Sequence, residues 1–198
     1  MKSKKRFFTL IEILVVVAII GILAGIALGI TGYVQNRKRE IQTQTTIAML
    51  EMIVNQYKEK YGSFPALNGK PSDSLGTAVF KLPAKPEEGD KLIALFNDIS
   101  YNGSDEITGI KGVNIAKVGN DILILDGWGS PIIYVYPGVF KKNGVDFGSP
   151  GSDKMLGENA SAKFNGTALP NLGSRSSGAY KSDFGKADDI TNFKRTDN

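Results

Sequence analysis

Hydrophobic residues change their spacing along this chain, and the changes divide it into segments. Seven short, mostly basic residues come first. An apolar run follows from residue 8 to about residue 30, broken only by Glu12, and residues 13–30 are eighteen in a row without a charge. That length predicts a membrane helix rather than a core helix. Farther on, Ile47, Leu50, Val54 and Tyr57 recur at three- and four-residue steps, with Ala48 and Met52 widening the stripe, which predicts an amphipathic helical face. Gln35, Arg37, Lys38, Arg39 and Glu40 flank its start, and Gly62 and Pro65 end it. The two segments read as one helix of roughly fifty residues, rising about 1.5 Å per residue.

Past Pro65 the period changes. Residues 67–89 are rich in Pro, Ser, Gly and Lys and read as a loop with room for a short helix; residues 92–99 suggest another. Strands are predicted at 113–118, 121–125 and 132–136, bounded by the turn signals Gly119-Asn120, 127–131 and Pro137-Gly138. From Phe147 onward Gly, Ser, Asn and Asp dominate, so the tail reads as mostly loop, and no internal repeat is evident. The expected class is α+β. A long N-terminal helix, membrane-spanning in its first half and amphipathic in its second, packs on a small antiparallel sheet followed by a long C-terminal loop. The expected segments are 1–7, 8–33, 34–65, 66–120 and 121–198.

Composition narrows the chemistry. Among 198 residues there is no Cys and no His, which removes disulfides, thiolate zinc sites, cysteine nucleophiles and the commonest general base. A Ser-His-Asp hydrolase is excluded on this chain, and only hard cations with oxygen ligands, such as calcium or magnesium, suit its donors. The net charge of +4 belongs to the first seven residues, where Lys2, Lys4, Lys5 and Arg6 lie; without them basic and acidic side chains balance at 20 each. No basic face remains for nucleic acid. The same four cations place the N-terminus in the cytoplasm by the positive-inside rule, and everything beyond about Gly32 on the far side.

Glu12 stands out because a carboxylate at the edge of a membrane helix is costly and needs a partner. A secretory signal has a shorter apolar core followed by a small-residue cleavage site. The run Phe8-Thr9-Leu10-Ile11-Glu12-Ile13-Leu14-Val15-Val16-Val17 instead resembles the class III leader of type IV prepilins and type II secretion pseudopilins. The resemblance implies cleavage between Phe7 and Phe8 by a prepilin peptidase, methylation of the Phe8 amine, and a role in assembly for Glu12. The chain departs from the family at Phe7, where the family prefers Gly or another small residue. Cutting there leaves a cationic amine on Phe8, and Glu12 is the nearby anion that could pair with the amine of a neighbouring subunit, offsetting two desolvation costs together. Gly21, Gly25 and Gly29 recur at four-residue steps; they either line helix–helix contacts in lipid or are glycines scattered in a membrane helix.

Three further stretches carry the resemblance. Tyr57-Lys58-Glu59-Lys60-Tyr61-Gly62-Ser63-Phe64-Pro65 looks like the helix end of major (G-type) pseudopilins. Asp126-Gly127-Trp128-Gly129-Ser130-Pro131-Ile132-Ile133-Tyr134 is similar to their turn and strand, with Gly127 in place of Pro and Trp128 read as a core aromatic. Residues 149–154 and 187–193 resemble the two halves of a loop that wraps calcium in that family. The resemblance implies carboxylates from Asp153, Asp188 and Asp189, the carbonyl of Pro150, and a carbonyl or hydroxyl near Ser152. Calcium takes six to eight oxygen ligands, which suits this set. Residues 155–186 intervene as a polar insertion the family lacks, and Asp188-Asp189 also reads as a solvated turn. Asn102, Asn159 and Asn165 begin glycosylation-type triplets and are read as turns.

The expectation is therefore a non-enzymatic pseudopilin. It polymerises from the bacterial inner membrane into a periplasmic filament with itself and minor pseudopilins, after prepilin peptidase and the inner-membrane assembly platform have acted, and helps drive protein export. A type IV pilus pilin, major or minor, and a membrane-anchored periplasmic binding protein with a pilin-like leader are the alternatives.

Overall fold

The computed structural model describes residues 9–65, 79–157, 159–164, 185 and 188–193; of residues 26–31, 156 and 159–163 it describes the backbone. Two compact units divide the chain, Met1–Arg37 and Lys38–Asn198. Helix α1, Leu10–Tyr61, is 52 residues long and crosses that boundary. Its end follows the predicted signals: Gly62 takes φ 81°, its amide donates to the Lys58 carbonyl at 2.7 Å, and Pro65 follows.

Between residues 13 and 25 α1 carries apolar side chains all round, and Leu10, Ile11, Leu14, Val17, Ile20 and Leu23 are exposed. Among the described residues no helix is long and apolar enough to cross a membrane. The far part of the predicted span, 26–31, is described by its backbone alone, which is helical.

In the second unit the amphipathic half of α1 buries Thr43, Thr46, Ile47, Leu50, Ile53 and Val54, with Tyr57 half-buried. Ala48 and Met52, expected to widen this stripe, are exposed instead. At about 100° per residue both lie about 160° from Leu50, on the opposite side of the helix. Thr43, Thr46 and Ile53, within about 60° of Leu50, complete the buried face instead. Threonine is tolerated in that buried face because Thr43 Oγ1 donates to the Arg39 carbonyl at 2.8 Å.

Where a single sheet is predicted, the described residues form four small antiparallel ones. The first has the order β1-β5-β4, built from β1 (Lys81–Pro83), β4 (Asn114–Val118) and β5 (Asp121–Leu125). A hairpin pairs β2 (Ile99–Tyr101) with β3 (Ile107–Ile110). A third sheet has the order β10-β7-β6, from β6 (Ile133–Val135), β7 (Asp146–Ser149) and β10 (Ile190–Thr191). The last pairs β8 (Met155–Leu156) with β9 (Asn159–Lys163). The strands predicted at 113–118, 121–125 and 132–136 are present as β4, β5 and β6. Of the short helix expected at 92–99, one 3-10 turn forms at Ile93–Leu95, started by Asp90, whose carboxylate accepts the Leu92 and Ile93 amides. Part of the 155–186 insertion is ordered as β8 and β9, and Phe164 after them is buried. Residues 66–78 lie outside the described residues.

Between helix and strands sits one core. Phe80, Phe96, Tyr134 and Phe147 form an aromatic cluster, with ring centroids 5.2 to 6.3 Å apart, against Leu50, Val54, Ile122, Ile124 and Ile132. The Tyr134 hydroxyl is satisfied by the Pro65 carbonyl at 2.7 Å, which ties β6 to the chain just past α1.

This packing predicts a contrast within α1. Leu50→Ala, at a fully buried site, should cost the chain about 2–5 kcal/mol in denaturant unfolding from detergent micelles. Met52→Ala, two residues on, should stay within about 0.5 kcal/mol of wild type.

Candidate functional site

Three elements meet where β5 ends. Asp126, next after β5, is 1% exposed. Its Oδ1 accepts the amides of Trp128 and Ser130, both at 2.8 Å, and its Oδ2 accepts the Ser149 hydroxyl of β7 at 2.6 Å. An Asp turn thus forms because one buried carboxylate satisfies several amides that a tight turn would otherwise leave unpaired. Burial raises the Asp126 carboxyl above its usual range, and the donors of Ser149, Ser130, Trp128 and Gly129 oppose that shift.

The neighbouring Gly127 places this turn on α1. Its amide donates to Thr43 Oγ1 at 2.9 Å, and a Cβ on Gly127 would overlap the backbone of Arg39. Close approach to the helix, rather than turn conformation, is thus what requires glycine there; the left-handed position of the turn is Gly129, at φ 86°. Asn114 of β4 donates to the Asp126 carbonyl at 3.1 Å and accepts from Gln42 of α1 at 3.1 Å. Trp128 is half-buried, and its Nε1 has no partner among the described residues.

Ser149 carries the network to the acidic loop. Its Oγ accepts the Gly151 amide at 3.1 Å. Gly151, at φ 72°, lies so close to Asp188 that a Cβ there would meet the Asp188 carbonyl and carboxylate. Asp188 Oδ2 accepts the Ser152 amide at 2.6 Å, the Ser152 hydroxyl at 2.7 Å and the Asp153 amide at 3.3 Å. The two halves that the sequence separates by more than thirty residues are therefore side by side, and Pro150 is buried between β7 and Gly151.

Asp189 lies deeper. Its Oδ2 accepts the amides of Gly157 at 2.9 Å and Gly185 at 2.8 Å, while its Oδ1 is buried with no donor among the described residues. Burial pushes its carboxyl up to about 7; the two amides oppose this, and the negative charges of Asp188 and Asp153 add to it. Asp153 Oδ1 accepts the Met155 amide at 2.7 Å. Among the described residues no group of three or more acidic side chains is placed to hold a metal ion. The orphaned, buried Asp189 oxygen is the one feature here that suits a hard cation.

Of the N-terminal residues, Phe7 and Phe8 lie outside the described residues. Glu12 is held by a local partner that the sequence reading missed. Its Oε2 accepts the Thr9 amide at 2.7 Å and the Thr9 hydroxyl at 2.8 Å, and the Glu12 amide donates to Thr9 Oγ1 at 3.3 Å. This is a capping box, and Thr9-Leu10-Ile11-Glu12 carries its Thr-x-x-Glu signature. A Cβ on Gly21 or Gly25 would meet open space in the single chain, and Gly29 is helical. Asn102 caps a turn, its Oδ1 accepting the Ser104 and Glu106 amides at 3.0 Å. Asn159 begins β9 rather than a turn, and Asn165 lies outside the described residues.

The prokaryotic N-terminal methylation motif matches residues 3–28. The motif marks a prepilin-type N-terminus, and with the α+β fold it supports a type IV pilin-like protein. Such a leader implies processing by a prepilin peptidase and pilin-like assembly. No curated protein and no solved structure matches the chain.

The Asp126 turn predicts a graded response. Asp126→Ala strands the Trp128 and Ser130 amides and should cost about 3 kcal/mol. Asp126→Asn keeps an acceptor oxygen and should cost less. Because the folded carboxyl titrates above its usual value of 3.8, its contribution is full below that value and is lost as pH rises through the raised one. The stability gap between wild type and Asp126→Asn, measured by denaturant unfolding, should thus shift against wild type between acid and neutral pH.

Proposed function

We propose that this chain is a structural subunit of a type II secretion pseudopilus. It is anchored in the bacterial inner membrane by residues 8–33 with its N-terminus in the cytoplasm, and polymerises into a periplasmic filament that drives protein export. The observation that carries the reading is the N-terminal methylation motif at the head of a 52-residue helix. The choice of a pseudopilus over a surface pilus follows the resemblance of residues 126–134 and of the two acidic half-loops to major pseudopilins. The chain performs no chemistry in this reading: its partners are further copies of itself, minor pseudopilins, the prepilin peptidase and the inner-membrane assembly platform.

Assembly begins with the Phe8 amine that cleavage after Phe7 exposes. In the free subunit Glu12 caps α1 through Thr9; in the filament its charge pairs with the Phe8 amine of a neighbour. Helix end and subunit contact thus share one carboxylate. Mass spectrometry of membrane-extracted protein should show a mature chain beginning at methylated Phe8. Glu12→Gln separates the two roles, since glutamine supports a capping box but carries no charge. It should leave membrane insertion intact and abolish filaments; filaments of normal length from Glu12→Gln, or an intact Met1 in mature filaments, would contradict the reading.

Calcium belongs to the same proposal. Asp189 Oδ1, the carboxylates of Asp153 and Asp188, the Pro150 carbonyl and an oxygen of Ser152 would hold it, and the ion would supply the positive charge that offsets theirs. An ion that binds the folded chain alone adds about 2.7 kcal/mol of stability at a hundredfold excess over its Kd. Calcium, and not zinc, should raise the melting midpoint of the full chain in micelles. Asp189→Asn should abolish most of that rise, and a midpoint indifferent to chelator would remove calcium from the account.

A further inference from the structure

The last described residues hold the acidic loop's second half from behind. Ile190 and Thr191 pair with Ser149 and Gly148 as β10 on β7. Asn192 then uses its side chain as an extra rung: its Oδ1 accepts the Phe147 amide at 2.8 Å and its Nδ2 donates to the Val145 carbonyl at 3.2 Å. Its own amide donates to the Phe147 carbonyl at 3.2 Å. Phe193 is buried and stacks on Phe140, with ring centroids 4.4 Å apart and planes 13° from parallel.

Phe140 is itself fixed. Asp146, fully buried, accepts the amides of Val139 at 2.6 Å, Phe140 at 3.0 Å and Lys141 at 2.9 Å, which locks the 138–144 loop into one shape. The Lys141 ammonium pairs with Glu51 of α1. Phe193 therefore stacks on a ring whose backbone is anchored both to β7 and to the helix. None of these contacts involves a carboxylate of the acidic loop.

We infer that Asn192 and Phe193 are positioning residues, forming a metal-independent clasp that delivers Asp188 and Asp189 to the Gly151–Asp153 turn. Asp189 precedes β10 directly, so once the clasp is closed both carboxylates are confined near residues 150–153. The loop-closure entropy of the intervening residues is then met before any ion arrives. A cation would meet a preorganised site, and losing it would loosen the turn without freeing the chain end. The inference deepens the calcium reading and rests on it for the ligand; the clasp itself stands on contacts outside the acidic loop's carboxylates.

Residue-resolved amide exchange on the full chain in detergent micelles tests the order of dependence. With chelator present, the Phe147 and Asn192 amides of wild type should stay protected. Phe193→Ala should speed exchange about tenfold or more at Phe147 and also at Ser152, whose amide Asp188 accepts, and Phe193→Tyr should restore both. Asn192→Ala should act in the same direction. Asp188→Ala should release Ser152 and leave Phe147 protected. Calcium titration should show Kd weakened about tenfold in Phe193→Ala with every carboxylate in place. Loss of Phe147 protection on chelation, or equal release of Phe147 and Ser152 by Asp188→Ala, would overturn the clasp. An absence of calcium binding by wild type would sink the calcium reading alone, because the exchange order is decided without the ion.

Discussion

The close approach of the Asp126 turn to α1 is the constraint on which the second unit depends. A helix and a set of short strands have no backbone hydrogen bonds in common, so something else must set their spacing. Here Gly127 lets the turn come within reach of the Arg39 backbone, and Thr43 supplies the hydroxyl that receives the Gly127 amide. Asp126 then gathers the turn's remaining donors and, through Ser149, joins the end of β5 to the end of β7. The four small sheets of the described residues, of two or three strands each, would be marginal alone. Packed against one helix, the strands of the first three share a core.

The same chain of contacts runs on to the acidic loop. From Ser149 the Gly151 amide leads to Asp188 and so to Ser152 and Asp153. The helix, the Trp128 turn and the proposed cation site are thus successive links rather than separate features.

Much of this was legible in the residues. The long helix followed from an uncharged run succeeded by a three-and-four spacing, with Gly62 and Pro65 to stop it, and β4, β5 and β6 from β-branched runs between turn signals. The acidic residues are legible only through the resemblance of residues 149–154 and 187–193 to a known loop; the lack of His and Cys says which kind of ion their oxygens suit, not where the site lies. The failures have physical causes. Ala48 and Met52 are apolar and so suggest the buried face, although helical geometry puts them opposite Leu50. The strands β1, β2, β3 and β7 are three or four residues long, and sequences such as Asp146-Phe147-Gly148-Ser149 carry no alternation to reveal them. The capping role of Glu12 was readable from Thr9 three residues before it, but was overshadowed by the membrane context. The clasp was not readable at all, since Asn192 and Phe193 act on residues about fifty positions earlier in the chain.

The most direct test of the central joint is the exchange of the Gly127, Trp128 and Ser130 amides compared with those of Ile122 and Ile124 in the core. If the turn is the seam that holds sheet to helix, the three amides exchange only when the second unit unfolds, with the same free energy as the core strand, and Thr43→Val lowers that shared value for all five together. Exchange of the three turn amides by a local opening, while Ile122 and Ile124 stay protected, would show that the strands hold to α1 without it.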